Sequence, residues 1–145
     1  MTDPVDILIA PDDNGIYDIS WTSEGDFMMT HSLETATLMS LTCERRAKEY
    51  EITMPEYRRG WIGNLLFEDV DHEDGCGNWL YEQKRLNSKT INGIRDESEK
   101  GMLWMIQDGV AKQVNVTSGL HQMAIFVDIK IQLLDDTFYV KRLLF

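Results

Sequence analysis

Residues with special chemistry are scarce in this sequence. Only two cysteines, Cys43 and Cys76, stand among 145 residues. They are too few for a disulfide scaffold, so a reducing compartment is the default. No apolar run approaches the roughly 18 residues that a membrane-spanning helix needs. The opening "MTDPVDILIA" carries no basic segment ahead of its apolar one and does not read as a signal peptide. Nucleophile elbow, P-loop and HExxH are all missing. No CxxC or HxxxH pair exists to complete a four-ligand zinc site around His72 and Cys76. Positive charge is also short. Fourteen Lys and Arg face 25 Asp and Glu, giving a formal net charge of −11 and a pI near 4.6. A chain that neutralises phosphates needs a basic face, so the composition argues against nucleic acid as the main ligand. Beyond that, acidity mostly reports solubility.

What is present describes one α+β domain with a real core, 43% hydrophobic and with a mean hydropathy of −0.32. Residues 1–30 read as a short β meander. "VDILI" is a strand, "PDDNG" a tight turn, "IYDISWT" a half-buried strand, "SEGD" a turn and "FMMT" a third strand. Residues 31–108 form a helical part. Its first helix runs from Ser32, a plausible N-cap, to Tyr50, with Leu33, Ala36, Met39, Cys43, Ala47 and Tyr50 on one stripe. Leu38 and Leu41 project from another side, beside Arg45. A helix apolar on two sides is buried between layers, or is covered once by its own domain and once by a partner. That marks Leu38, Leu41 and Arg45 as candidate partner contacts. The second helix starts at Asn87 or Ser88 and runs to Gln107, where Asp108-Gly109 stops it. Ser98 and Gly101 are small members of its stripe, where another backbone can approach closely. "NWLYEQKRL" between the helices is a short strand or a turn of helix.

The last part, 109–145, is β. "VAKQVNV" is a strand. "HQMAIFVDIKIQLL" alternates cleanly, with Met123, Ile125, Val127, Ile129, Ile131 and Leu133 on one face. "FYVKRLLF" returns beside it to complete a long C-terminal hairpin. Two main helices pack on this mostly antiparallel sheet. The outer strand from Phe138 carries Val140, Arg142 and Leu144 along what is expected to be an open edge, guarded only by Lys141 and Arg142. Such an edge suits the addition of a strand from another chain.

The acidic run "EDVDHEDGCGN" fits calcium poorly. Counted from Asp69, the sixth position of a calcium loop is Asp74 where glycine is needed, and the twelfth is Leu80. Counted from Asp71, the twelfth is Glu82 but the sixth is Cys76. A solvated acidic loop accounts for it more simply. No cofactor is expected.

"YRRGWIGN", Tyr57 to Asn64, stands out in so acidic a chain. In one reading Trp61 anchors a turn shaped by Gly60 and Gly63, while Arg58 and Arg59 pair with surface acids. In the other, a planar guanidinium beside a tight turn makes bidentate contacts to a partner's carboxylates or carbonyls. Chemistry alone leaves the two level.

The order of motifs goes further. "GIYDISWTSEGDF" is followed by "LETATLMSLTCERRA", "RRGWIGN", "WLYEQKRL" and "GMLWMIQDGVAKQVNV", then by the β hairpin. This succession, over nearly the whole chain, resembles the gene product 46 family of Mu-like bacteriophages. That family is similar to the lysozyme-like baseplate wedge proteins of contractile tails and of type VI secretion. The resemblance implies a structural protein of the virion baseplate, assembled in the host cytoplasm in sixfold arrangement. Its implied partners are other wedge proteins, the tail sheath and tail tube or hub proteins, with no membrane and no nucleic acid. It implies no catalysis, although the lysozyme-like label keeps a peptidoglycan hydrolase as the alternative. By motif order Arg58, Arg59, Gly60 and Trp61 would carry the wedge contact, although the Glu-Pro-Arg triplet of the wider family is absent. The C-terminal hairpin would correspond to the part of the fold that resembles the sheath's own handshake domain.

Overall fold

The computed structural model describes residues 5–66 and 73–145. The readings at Asp69, Asp71 and His72 therefore lie outside the described residues. The chain forms two compact units, Met1–Met39 and Ser40–Phe145.

The first unit is built of short strands around a junction. β1 (Val5–Ile7) pairs antiparallel with β4 (Met29–His31), and β2 (Ile9–Pro11) with β3 (Tyr17–Ile19). A third pairing joins Trp21 to Phe27. The three pairings meet in a closed ring of backbone hydrogen bonds. Leu8 N–H donates to Met28, Met28 N–H to Ser20, and Ser20 N–H back to Leu8, all within 2.8–2.9 Å. The expected single strand "VDILI" is thus split at Leu8, because its two halves serve different partners. Asp12 shapes the first hairpin tip by accepting from the N–H groups of Asn14 and Ile16. Gly15, at φ 78°, supplies the left-handed residue there.

α1 (Ser32–Thr42) is shorter than the sequence suggests. "CERRAKEY" has helical composition, but its backbone pairs elsewhere. Glu44 bridges to Cys76 in parallel. Ala47 N–H donates to Arg58 O at 2.9 Å, and Trp61 N–H to Glu44 O at 2.7 Å. Tertiary partners on both sides outbid the helix. Single 3-10 turns follow at Glu49–Glu51 and Pro55–Tyr57, then the one-turn α2 (Gly63–Leu66) and a further 3-10 turn at Asn78–Tyr81.

α3 (Ser88–Met102) begins where expected, with the Asn87 side chain accepting from Thr90 N–H at 2.9 Å. The expected long helix breaks at Leu103, and α4 (Trp104–Gln107) continues as a separate turn. Ser98 and Gly101 of the anticipated stripe are buried, together with Ile94, Met102 and Met105. A Cβ on Gly101 would stand 2.8 Å from Ser40 O, so this is a close backbone approach.

The C-terminal sheet has three strands, β5 (Ala111–His121), β6 (Ala124–Leu133) and β7 (Phe138–Leu144), in the order β5-β6-β7. The α+β reading holds, and the C-terminal hairpin is the second half of a meander. β5 runs five residues past Val116, where the expected strand ends, and the turn falls at Gln122-Met123. Met123 is therefore exposed at the tip rather than part of the inward row. Ile125, Val127, Ile129 and Ile131 are at most 2% exposed and form the core face. α3 lies against β5, where Ser118 Oγ donates to Ile91 O at 3.1 Å.

Candidate interaction surfaces

Arg45 sits at the centre of the larger unit's polar architecture. Its guanidinium grips Glu51 with two parallel bonds of 2.8 and 2.9 Å, while its Nε donates to Glu97 Oε2 at 2.9 Å. Glu97, buried on α3, also accepts from Gly77 N–H at 3.0 Å and from Lys100 Nζ at 2.7 Å. The backbone of Arg45 is engaged as well. Its N–H donates to Cys76 O at 3.1 Å, and its carbonyl accepts from Trp79 Nε1 at 3.0 Å. Hydrogen bonding to Arg45 holds the Glu51 carboxyl down at about 2. Burial pushes the Glu97 carboxyl up, but the bonds from Arg45 and Lys100 outweigh it and the net shift is downward. The bonds to Glu51 raise Arg45 itself, against the opposing effect of burial. Gly77 exists for this clasp, since a Cβ there would lie 2.3 Å from Glu97 Oε2 and 2.8 Å from Arg45 Nη2.

The sequence marked Arg45, Leu38 and Leu41 as partner contacts. Leu38 and Leu41 are 4% and 1% exposed, and Arg45 is committed to its own chain. Glu51, Glu97 and Trp79 were not singled out. The triplet Gly75-Cys76-Gly77 is the signal that could have pointed to them, because glycines flanking a buried residue mark close packing.

The arginine loop divides its two arginines. Arg58 turns inward and its Nε donates to Ala47 O. Arg59 adopts φ 47° ahead of Gly60 at φ 120°, which places its guanidinium outside. There it meets Glu44 at 2.7 Å and Glu82 at 3.3 Å, lies 4.8 Å above the Trp79 ring, and keeps 44% of its side chain exposed. Trp61 is half-buried with its ring laid on Gly63, where any Cβ would overlap it. Asn64 closes the motif by exchanging two 2.9 Å bonds with the backbone of Asp74.

Beside the loop lies an apolar cleft of about 370 Å³, lined by Leu41, Cys43, Cys76, Trp79, Ile94 and Phe145 among others. Two carboxylates, Glu44 and Glu82, also line it, and both are held by Arg59. Burial pushes the Cys76 thiol up to about 12 and raises that of Cys43, so neither offers a thiolate at neutral pH. Among the described residues no group of three or more His, Cys, Asp or Glu could hold a metal ion. None of the described helices is long and apolar enough to cross a membrane.

β7 gathers the remaining predicted contacts. Register places Phe138, Val140, Arg142 and Leu144 on one face, opposite Gln132, Lys130, Asp128 and Phe126 of β6. Phe138, Val140 and Leu144 are 55%, 64% and 58% exposed. Arg142 forks onto Asp128 and lies 4.5 Å from the Phe126 ring. Phe145 exchanges both backbone bonds with Ile125, so alternation aims the N–H and C=O of the even-numbered β7 residues away from β6, toward the outer edge.

No curated protein matches this chain. A family model does, that of Phage protein GP46, over residues 33–137. The match takes in α1, the arginine loop, the Arg45 clasp, α3 and the first two strands of the sheet. Covering well over half of the sequence, it makes the chain a member of the phage protein GP46 family.

Proposed function

We propose that this protein is a non-enzymatic baseplate wedge protein of a contractile phage tail, joining wedge subunits to the sheath and helping to start sheath assembly. The reading begins from family membership, which makes it a phage protein. The observation that carries the finer role is β7. It is an outer strand with edge-directed backbone groups and an exposed apolar ridge of Phe138, Val140 and Leu144. A sheath strand adding there gains a hydrogen-bond ladder and sets its own side chains beside the ridge. Arg59, exposed beside Trp79, is the group of the arginine loop placed to meet a wedge partner. Other wedge proteins, and tube or hub proteins beyond them, would then surround it in a sixfold assembly. The paired carboxylates of the cleft support this role over a peptidoglycan hydrolase, since both are engaged by the same guanidinium, that of Arg59.

Two proline substitutions test the edge. Val140→Pro deletes an N–H aimed away from β6 and is expected to fold normally but to abolish sheath nucleation on baseplates. Lys141→Pro deletes an N–H aimed at β6 and is expected to unfold the sheet. Normal sheath assembly with Val140→Pro would reject strand addition at β7.

A further inference from the structure

The N-terminal junction has a face that neither the family match nor the wedge reading explains. The match begins at Leu33, so the whole junction lies outside it. Residues paired across strands share a face, and the pairs around the ring are Ile7 with Met29, Ile9 with Ile19, and Trp21 with Phe27. Each pair is two residues along the chain from the next, so all six side chains lie on the same side. All six are apolar. Ile19, Trp21, Phe27 and Met29 are 38–57% exposed, and the Trp21 and Phe27 rings stack at 4.5 Å. The exposed apolar area is roughly 500 Å², near the top of what a monomer's largest patch shows. It is a substantial part of the roughly 800 Å² that one side of a stable interface buries.

The charges around this face restrict what can cover it. Nine of the 25 acidic residues, and none of the 14 basic ones, precede Arg45. Asp6, Asp18 and Asp26 occupy the opposite side of the sheet, each accepting from the N–H of the next residue. Asp12, Asp13 and Glu24 stand at the hairpin tips, around the rim of the apolar face. A second copy would set acid against acid. Anionic lipid and nucleic acid meet the same repulsion.

We propose that the apolar face of this three-armed sheet docks on a different protein, one offering an apolar patch of similar size rimmed by lysine and arginine. The contact joins an apolar centre to a complementary charged rim. It is independent of the arginine loop and of β7.

The test uses the full chain in cells producing phage, with Trp21 replaced by a photo-crosslinking benzoyl-phenylalanine and, as a control, Asp18 replaced in the same way. Cross-linked peptides are sequenced from purified assemblies. The expected result is that position 21 marks one segment of a single different protein, apolar with Lys or Arg within a few residues. The yield from position 18 should be at least about fivefold lower. Reversing the rim with Asp12→Lys, Asp13→Lys and Glu24→Lys should cut the yield at position 21 about tenfold or more, because like charges then face each other. Circular dichroism and melting of the reversed chain establish that it is folded. Cross-links to a second copy, to the chain's own residues 40–145 or to lipid would overturn the proposal. So would no product, or a yield that rim reversal in a folded chain leaves unchanged.

Discussion

Replacing Arg45 by methionine keeps most of the side chain's length and removes its charge. The guanidinium serves two carboxylates, one of which, Glu97, has a side chain only 6% exposed. Removing one member of a buried ion pair leaves the other's desolvation uncompensated, and the cost is about 3–5 kcal/mol. Glu97 keeps Lys100 and Gly77 N–H, so the lower end of that range is expected. The pH dependence gives a sharper check. Glu51 is depressed from 4.5 to about 2 in the fold. A depressed carboxylate contributes stability above its unfolded value and loses it as pH falls through the folded value. Two and a half units correspond to about 3 kcal/mol. The native chain should therefore lose stability between about pH 4.5 and pH 2 as Glu51 and, in the same direction, Glu97 protonate. In Arg45→Met that acid-sensitive component should be largely missing, so the two chains converge near pH 2. Urea unfolding followed by tryptophan fluorescence, repeated across that range, measures both quantities. A variant within about 1 kcal/mol of the native chain at pH 7, or one with the same acid slope, would refute the clasp as a source of stability.

Gly77→Ala should cost about 1–3 kcal/mol through overpacking, because the new methyl collides with the Glu97–Arg45 contact; thermal melting will show it. Arg59→Ala should leave the melting temperature almost unchanged, since that guanidinium is exposed, yet reduce incorporation into assembled wedges measured by sedimentation. Equal incorporation would return the exposed arginine to a purely local role.

Much of the architecture was written in periodicities. The row Ile125, Val127, Ile129 and Ile131 became the core face of the sheet, and Asn87 capped the second helix, because alternation and capping are local physics. The first helix's end was not legible. Cys43 to Tyr50 has helical composition, and what diverts it is pairing with Arg58, Trp61 and Cys76, residues far along the chain. The outward-facing set Phe138, Val140, Arg142 and Leu144 was readable from a period of two. The different fates of Arg58 and Arg59 were not, because one left-handed residue at Arg59 decides them. The ion pairs that Arg45 makes within its own chain were not legible for a similar reason. Its acids, Glu51 and Glu97, lie 6 and 52 residues away, and no spacing rule joins them.

The reach of Arg45 also bears on time. Its contacts span 6 residues to Glu51, 34 to Trp79 and 52 to Glu97. Loop closure on that scale comes before any reward, so a contact network of this kind completes only when α3 and the Gly75–Trp79 segment are already in place. Interactions absent from the transition state act on the unfolding rate alone. The clasp is then expected to act as a latch, so that Arg45→Met speeds unfolding and leaves the folding rate, set by the sheet and its helix, almost unchanged; stopped-flow unfolding and refolding would show it.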